Sequence, residues 1–353
     1  MFKLAYLLII FLATGCFGLS TAVFNTDYIS DLIPFQERNT VFYLKDGNVW
    51  QKSQETPPTK ILDLDDDICA FDISSDQKSI VCSIKKGPEQ PSSSPLYQKI
   101  GDTIQLYSVS DGQGYEIYSD GHAQIKNILF TQGSGLFVIA LSNKKENIVL
   151  ILDPTTKLYK TFSKDRRSDM NSTLFIQDVS PDGKYALLRY AFFEGSMQRI
   201  LNLASLTLEG YQTSSTVVQG NYLLGFIGSD QLLGYKGAMI GPNNFKITLS
   251  ARNFINKEES TVLDYNFDMV PTYFDGKSDP NKVYFRLSPH TGDNKSVFYE
   301  IDKNTYKCRV LSSKRNILAY IGTNQSLWIT NTSLNNPQFV DLGIKSSQDI
   351  KVK

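Results

Sequence analysis

One short phrase recurs along the chain and limits its folding more than any other feature. Its full copy is Asp178-Val179-Ser180-Pro181-Asp182-Gly183-Lys184 followed by YALLRY (185–190), and a looser copy is FDISSDQK (71–78) followed by SIVCSI (79–84). In each, a short strand runs into a Ser-(Pro/Ser)-Asp-(Gly/Gln)-Lys turn and a strongly apolar strand leaves it. Pro presets one turn dihedral and Gly accepts positive φ, so the turn is chemically specified where it reads Pro-Asp-Gly. A second outline, apolar strand, Asp/Asn/Ser turn, strand, recurs at 103–119, 147–163, 198–214 and 296–312. One hairpin of each kind makes a unit of four strands.

Units start near residues 41, 68, 122, 172, 216, 268 and 317, with a spacing of about 44–54 residues from 68 onward, where four-stranded repeats typically need about 40–50. The opening segment TVFYLKDGNVWQKSQETPPTKILD (40–63) and the closing segment ILAYIGTNQSLWITNTSLNNPQFVD (317–341) resemble each other, with Trp50 and Trp328 in corresponding strands. Seven units are favoured. Six is the alternative, because the first and last each read as one strand short and together make one. A lone four-stranded sheet exposes both faces, whereas a radial array packs each sheet between two neighbours. Runs such as LFVIAL (136–141) and YLLGFI (222–227) suit strands buried on both faces. The 19 Tyr, 21 Phe and 23 Gly, with no long helical pattern, point the same way. The expected class is all-β, and an array of β-sandwiches is the structural rival.

DVSPDGKYALL and the ladder around it resemble the TolB-like and WD40-like β-propeller repeats, and also the propeller domain of prolyl-oligopeptidase-family serine peptidases. The resemblance covers most of residues 40–343. It implies a β-propeller of four-stranded blades, and two classes of function: a binding scaffold, or a propeller that gates a peptidase. Peptidases of that family carry Ser, Asp and His on a separate α/β domain, and the chain has no Gly-x-Ser-x-Gly elbow. The expectation is a non-enzymatic scaffold for a protein, peptide or glycan. The alternative is an enzyme or a stand-alone substrate-gating propeller.

The expected organisation is residues 1–24 as export signal or anchor, 25–39 as linker, 40–343 as the repeat array and 344–353 as a tail. Residues 4–24 carry no charge and open on the apolar run Leu4–Leu12 after Lys3, as an export signal does. Ala13-Thr14-Gly15 before Cys16 resembles a bacterial lipobox, which makes Cys16 a lipidation candidate. Simple cleavage after Gly15 or Gly18, and retention as one membrane-spanning helix, are the alternatives, since about 20 residues span a bilayer. All three place the body outside the cytoplasm, either secreted or held at the membrane through its N-terminus. Sequons begin at Asn171, Asn294, Asn324 and Asn331 and read first as turns.

With 36 basic and 36 acidic residues, no net field draws the chain to nucleic acid. Neither His122 nor His290 makes a metal-ligand spacing with a cysteine, and Asp63-Leu64-Asp65-Asp66-Asp67 lacks the Gly and distal Glu of a Ca²⁺ loop. No metal or cofactor is expected. A hairpin pairing Ile73 with Lys78 sets Cys69 opposite Cys82, a candidate disulfide, with two buried thiols as the alternative. Two insertions stand out as contact surfaces: KKGPEQPSSSPLYQKIGD (85–102), and AFFEGS (191–196) with Phe192 and Phe193, where extension of the strand into the core is the competing reading.

Overall fold

A computed structural model describes residues 32–35, 40–45, 47–53, 57, 59–64, 66, 68–86, 101–166, 172–192, 195–216, 219–241, 244–267, 269–275, 282–289, 296–302, 304–305, 307–314, 317–321, 327–331 and 340–341. All regular structure among them is antiparallel strand. The first sheet contains β1 (Leu32–Phe35), β2 (Thr40–Lys45), β3 (Asn48–Ser53) and β4 (Thr59–Leu62) in that order. The second contains β5 (Ile68–Ile73), β6 (Ser79–Ile84), β7 (Thr103–Ser108) and β8 (Gly114–Ser119), and the third β9 (Gln124–Thr131), β10 (Leu136–Ser142), β11 (Glu146–Leu152) and β12 (Tyr159–Asp165). An eight-stranded ladder follows, β13 (Thr173–Val179), β14 (Tyr185–Phe192), β15 (Gly195–Asn202), β16 (Thr207–Thr216), β17 (Gln219–Phe226), β18 (Gln231–Gly241), β19 (Asn244–Asn253) and β20 (Glu259–Phe267). Its halves meet through one residue pair, Ser215 with Gly220, so they are treated below as the fourth and fifth sheets. β21 (Met269–Asp275) to β24 (Cys308–Lys314) form the next sheet, and β25 (Ile317–Ile321), β26 (Leu327–Asn331) and β27 (Val340–Asp341) the last.

The sheet starts follow the sequence expectation closely, with one correction. Leu32–Phe35, read as linker, pairs with Thr40–Tyr43, so the first sheet has four strands rather than three.

The first strands of successive sheets lie against one another, β5 on β9, β9 on β13, β13 on β17 and β17 on β21. The apolar core is accordingly not one lump but a series of interleaves. Phe42 and Val49 of the first sheet meet Phe71 and Ile80 of the second. Ile104 and Leu106 meet Phe137, Ile139 and Leu141 of the third, whose Val138 and Ala140 point the other way onto Leu174 and Leu188 of the fourth. Leu187 and Ile200 then meet Leu223 and Phe226 of the fifth. Neighbouring residues of β10 thus fill opposite interfaces, and all seven of its residues but Leu136 are buried. Alternation is lost because both faces are interior. Truncating one such leucine to Ala should cost about 2–5 kcal/mol.

Candidate binding face

The recurring phrase builds the same turn twice. Ser74 Oγ donates to Asp76 Oδ1 (2.6 Å) and accepts from Ser79 N (2.9 Å), while Lys78 N donates to Asp76 (3.1 Å). Ser180 Oγ donates to Asp182 Oδ1 (2.7 Å) and accepts from Tyr185 N (2.9 Å), while Lys184 N donates to Asp182 (3.2 Å). The Ser74 hydroxyl, ahead of other contributions, holds the Asp76 carboxyl below the ordinary carboxylate value. The fourth turn residue is left-handed in both, Gln77 at φ 59° and Gly183 at φ 70°. The third sheet keeps the device in other letters: Thr131 Oγ1 accepts from Leu136 N (3.0 Å), and Gly135 takes the positive φ.

The phrase also contains a residue whose part is invisible in one turn alone. Asp178 is buried, and its carboxylate accepts from Val179 N (2.8 Å) and, across the interface, from Phe226 N of the fifth sheet (2.7 Å). Asp72 does the same, accepting from Ile73 N (2.8 Å) and from Phe130 N of the third sheet (2.6 Å). Between third and fourth sheets Asn127 fills this role, its Nδ2 donating to Ile176 O and its Oδ1 accepting from Ile176 N (3.1 Å). Buried Gln198 adds a second bridge between fourth and fifth sheets through both Leu223 O and Leu223 N (2.7 Å each). The sequence signal was available, since Asp stands two places before the turn Ser in both copies.

These bridges fix a platform with two unlike ends. One end carries the turns just described and the hairpins between third and fourth strands. The other carries the connections between second and third strands, and both noted insertions fall there. The longer one is closed at its base. Asp102, 1% exposed, accepts from Lys85 Nζ (2.8 Å), Lys86 N (3.0 Å) and Thr103 Oγ1 (3.1 Å), and Lys86 reaches Glu116 (2.8 Å). Gly101 sits so close to Ser83 that a Cβ would stand 2.7 Å from the serine Cβ, and it pairs with Ile125 of the third sheet. The described residues on either side of positions 87–100 are therefore fastened to each other and to two sheets.

The other expected site residues fall as follows. Phe192 ends β14 and packs, half-buried, on the core between third and fourth sheets, which is the strand-extension reading. Phe193 and Cys16 lie outside the described residues. Cys69 and Cys82 are buried thiols not joined by a disulfide, which corrects the disulfide reading. The loop closes two residues wider than expected, with Ile73 opposite Ile80, so Cys82 faces Phe71 and Cys69 falls in a register shift between Ile68 and Ala70. Burial, and then Cys69, pushes the Cys82 thiol far above its ordinary value, so it is unreactive. His122 is exposed in a turn, its N–H donating to Asp120 (2.9 Å). No three His, Cys, Asp or Glu side chains converge for a metal among the described residues.

Radially ordered four-stranded sheets, first strands inward and cores between sheets, define the β-propeller, and solved propellers share this fold. The chain is similar to Kuenenia stuttgartiensis hydrazine synthase (TM-score 0.59, 11% identity, covering 88% of this chain and 96% of that one). It is also similar to the β-propeller domain of the trilobed protease from Pyrococcus furiosus, which has an open velcro topology (TM-score 0.54, 14% identity, 88% and 94%). Prolyl endopeptidases match as well (TM-score 0.55, 13% identity), over 91% of this chain but 47% of theirs, so the chain spans about half their length. No family model matches the sequence, nor does any curated protein.

Proposed function

We propose that this propeller is an exported, non-enzymatic scaffold that binds another protein, or a peptide or glycan, through the end bearing the connections between second and third strands. The neck at Lys85, Gly101 and Asp102 carries the reading. A buried carboxylate with three donors and a glycine packed tightly against Ser83 hold the base of an 18-residue insertion (85–102), and a surface loop mounted on a rigid scaffold is a common place for recognition. Export and attachment at the cell envelope rest on the apolar segment 4–24 and Cys16. Mass spectrometry of the mature N-terminus separates the three routes: an acylated Cys16, an intact Met1, or a free residue 16 or 19.

The test of the binding face replaces residues 87–100 by a short Gly/Ser link, leaving Lys85, Lys86 and Asp102 in place. Both forms are then used to capture partners from the host membranes. An unchanged melt with loss of the captured protein supports the face, and equal capture by both forms refutes it. The alternative, a propeller that gates a peptidase, draws on the fold likeness to propellers of peptidases. A peptidase as the captured protein would favour it.

A further inference from the structure

β8 and β12 are the rim strands of the second and third sheets, and register decides which side chains they turn towards each other. Leu106 and Ile104 of β7 belong to the core between these sheets, and they lie opposite Tyr115 and Tyr118 of β8. One extra residue between those positions, Ile117, puts both tyrosines on the face towards the third sheet instead of on opposite faces. From the other side, Leu152, Leu150 and Ile148 of the same core lie opposite Tyr159, Thr161 and Ser163 of β12, so these face the second sheet, and Glu146 continues the row on β11.

The core stops short of this rim. Tyr115, Leu158 and Tyr159 are three of the five large apolar side chains exposed among the described residues, Leu158 by 71% and Tyr159 by 48%. Tyr118 is half-buried, its hydroxyl donating to Asp120 Oδ2 (3.5 Å). Burial, and then Asp120, raise its pKa to about 12, with Tyr159 and Glu146 adding to the rise, so two carboxylates and a second phenol stand around one ring. Asp120 and Glu146 form no ion pair with a described residue.

The slot already contains one contact between a cation and a ring. Lys157 turns out of the β11–β12 hairpin at φ 61°, its N–H donating to Asp153 O (2.9 Å), and sets its ammonium 3.2 Å from the centre of the Tyr115 ring. The other lysines of β12 are turned away from the slot. Lys160 donates to Ala204 O (3.3 Å) and Lys164 lies over the Tyr190 ring, both in the fourth sheet, while Lys144 and Lys145 are on the turn before Glu146. Tyrosine rings open to water, with carboxylates beside them, match a cation on an alkyl stem. The stem covers the ring and the head is drawn both to the ring face and to the carboxylate.

We propose that this slot docks a lysine- or arginine-bearing segment of a partner protein, with the Tyr115 and Tyr159 rings under its stems and Asp120 and Glu146 as counter-charges. Lys157 marks the place of one such head and yields it when the partner arrives. The surface runs along the rim of the disc, not over the insertion 85–102, and shares no residue with that reading.

The test measures binding of fluorescein-labelled octalysine to the full chain by anisotropy at low salt, against octaglutamate and a Gly/Ser octamer. Expected is saturable binding of octalysine alone, weakened at least about tenfold by Tyr115→Ala with Tyr159→Ala, a change that leaves every charge in place. Asp120→Asn with Glu146→Gln should weaken it too, whereas Asp63→Asn with Asp66→Asn, exposed acids between the first and second sheets, should not. Lys157→Gln should tighten it, because the ring is vacated and a like charge removed. The substituted side chains are exposed or half-buried, and unchanged melting temperatures confirm that the variants fold. Equal binding to wild type and the tyrosine variant would show that charge alone attracts the peptide and overturn the slot, as would binding of either control peptide. Sedimentation of the chain alone tests the remaining occupant: concentration-dependent pairing that Tyr159→Ala abolishes would assign the slot to a second copy and overturn the partner segment.

Discussion

Replacing Asp178 tests whether side chains, and not apolar contact alone, hold neighbouring blades in register. The carboxylate accepts two buried amides, Val179 N at 2.8 Å within its own sheet and Phe226 N at 2.7 Å in the next. Asp178→Ala leaves both without acceptors, and a buried donor left unsatisfied costs about 1–3 kcal/mol, so the loss should be about 4 kcal/mol. Asp178→Asn keeps the shape and one acceptor oxygen, and should lose about half as much. Urea unfolding followed by circular dichroism gives both figures, provided the slope with denaturant stays constant. Amide exchange then locates the effect: Phe226 N–H should lose protection in Asp178→Ala, while Phe130 N–H, served by Asp72, should not. The matching Asp72→Ala variant should show the reverse. Because the two bridges serve separate interfaces, the double variant should be additive within about 0.5 kcal/mol. A cost below about 0.5 kcal/mol for Asp178→Ala, or unchanged exchange at Phe226, would refute the reasoning.

Other outcomes follow from the same geometry. Gly183→Ala should destabilise by at least about 1–2 kcal/mol for its positive φ, plus the clash of a Cβ 2.7 Å from Ser134 N, whereas Gln77→Gly at the equivalent place should stabilise by up to about 1 kcal/mol in thermal melts. Lys126 holds fewer protons folded than unfolded between about pH 8 and 10.5, so stability should rise with pH through that window by at most about 1.4 kcal/mol per pH unit, and Lys126→Met should abolish the rise. Asp102→Ala should leave the Lys85 ammonium without its 2.8 Å partner and increase proteolytic nicking within 87–100 while the amides of β6 and β7 stay protected.

How far the sequence carried can be judged residue by residue. Ser180, Asp182 and Gly183 announce their turn because each is chosen for a local bond or dihedral, and local chemistry is written in neighbouring letters. The third sheet's turn, TQGSGL (131–136), does the same work with a threonine hydroxyl, and no motif comparison would align it with SPDGKY. Cys69 and Cys82 were misplaced because a hairpin loop two residues wider and a shift at Cys69 change every cross-strand partner without altering any propensity. The bulge at Lys126 escapes the sequence for the same reason: it is a mismatch between two strands, and neither strand alone contains it. Asp178 is intermediate, a residue whose bond reaches 48 positions ahead yet whose repetition at Asp72 was visible throughout.

The hairpins between third and fourth strands hold one last consequence. Asp153, Asn202, Asn253 and Asp302 each open such a hairpin by accepting backbone amides two and three residues on, at intervals of 49, 51 and 49 residues (153 to 202, 202 to 253, 253 to 302). At the opposite end, the link between second and third strands shrinks from the 18 residues between β6 and β7 to Asn143, Lys144 and Lys145 in the next sheet, over an unchanged frame. One rim of the disc is thus metrically locked and the other open to lengthening. Peptides or reporter modules grafted at Lys144–Lys145 should be carried without disturbing the remaining blades, which offers a ready chassis for multivalent display.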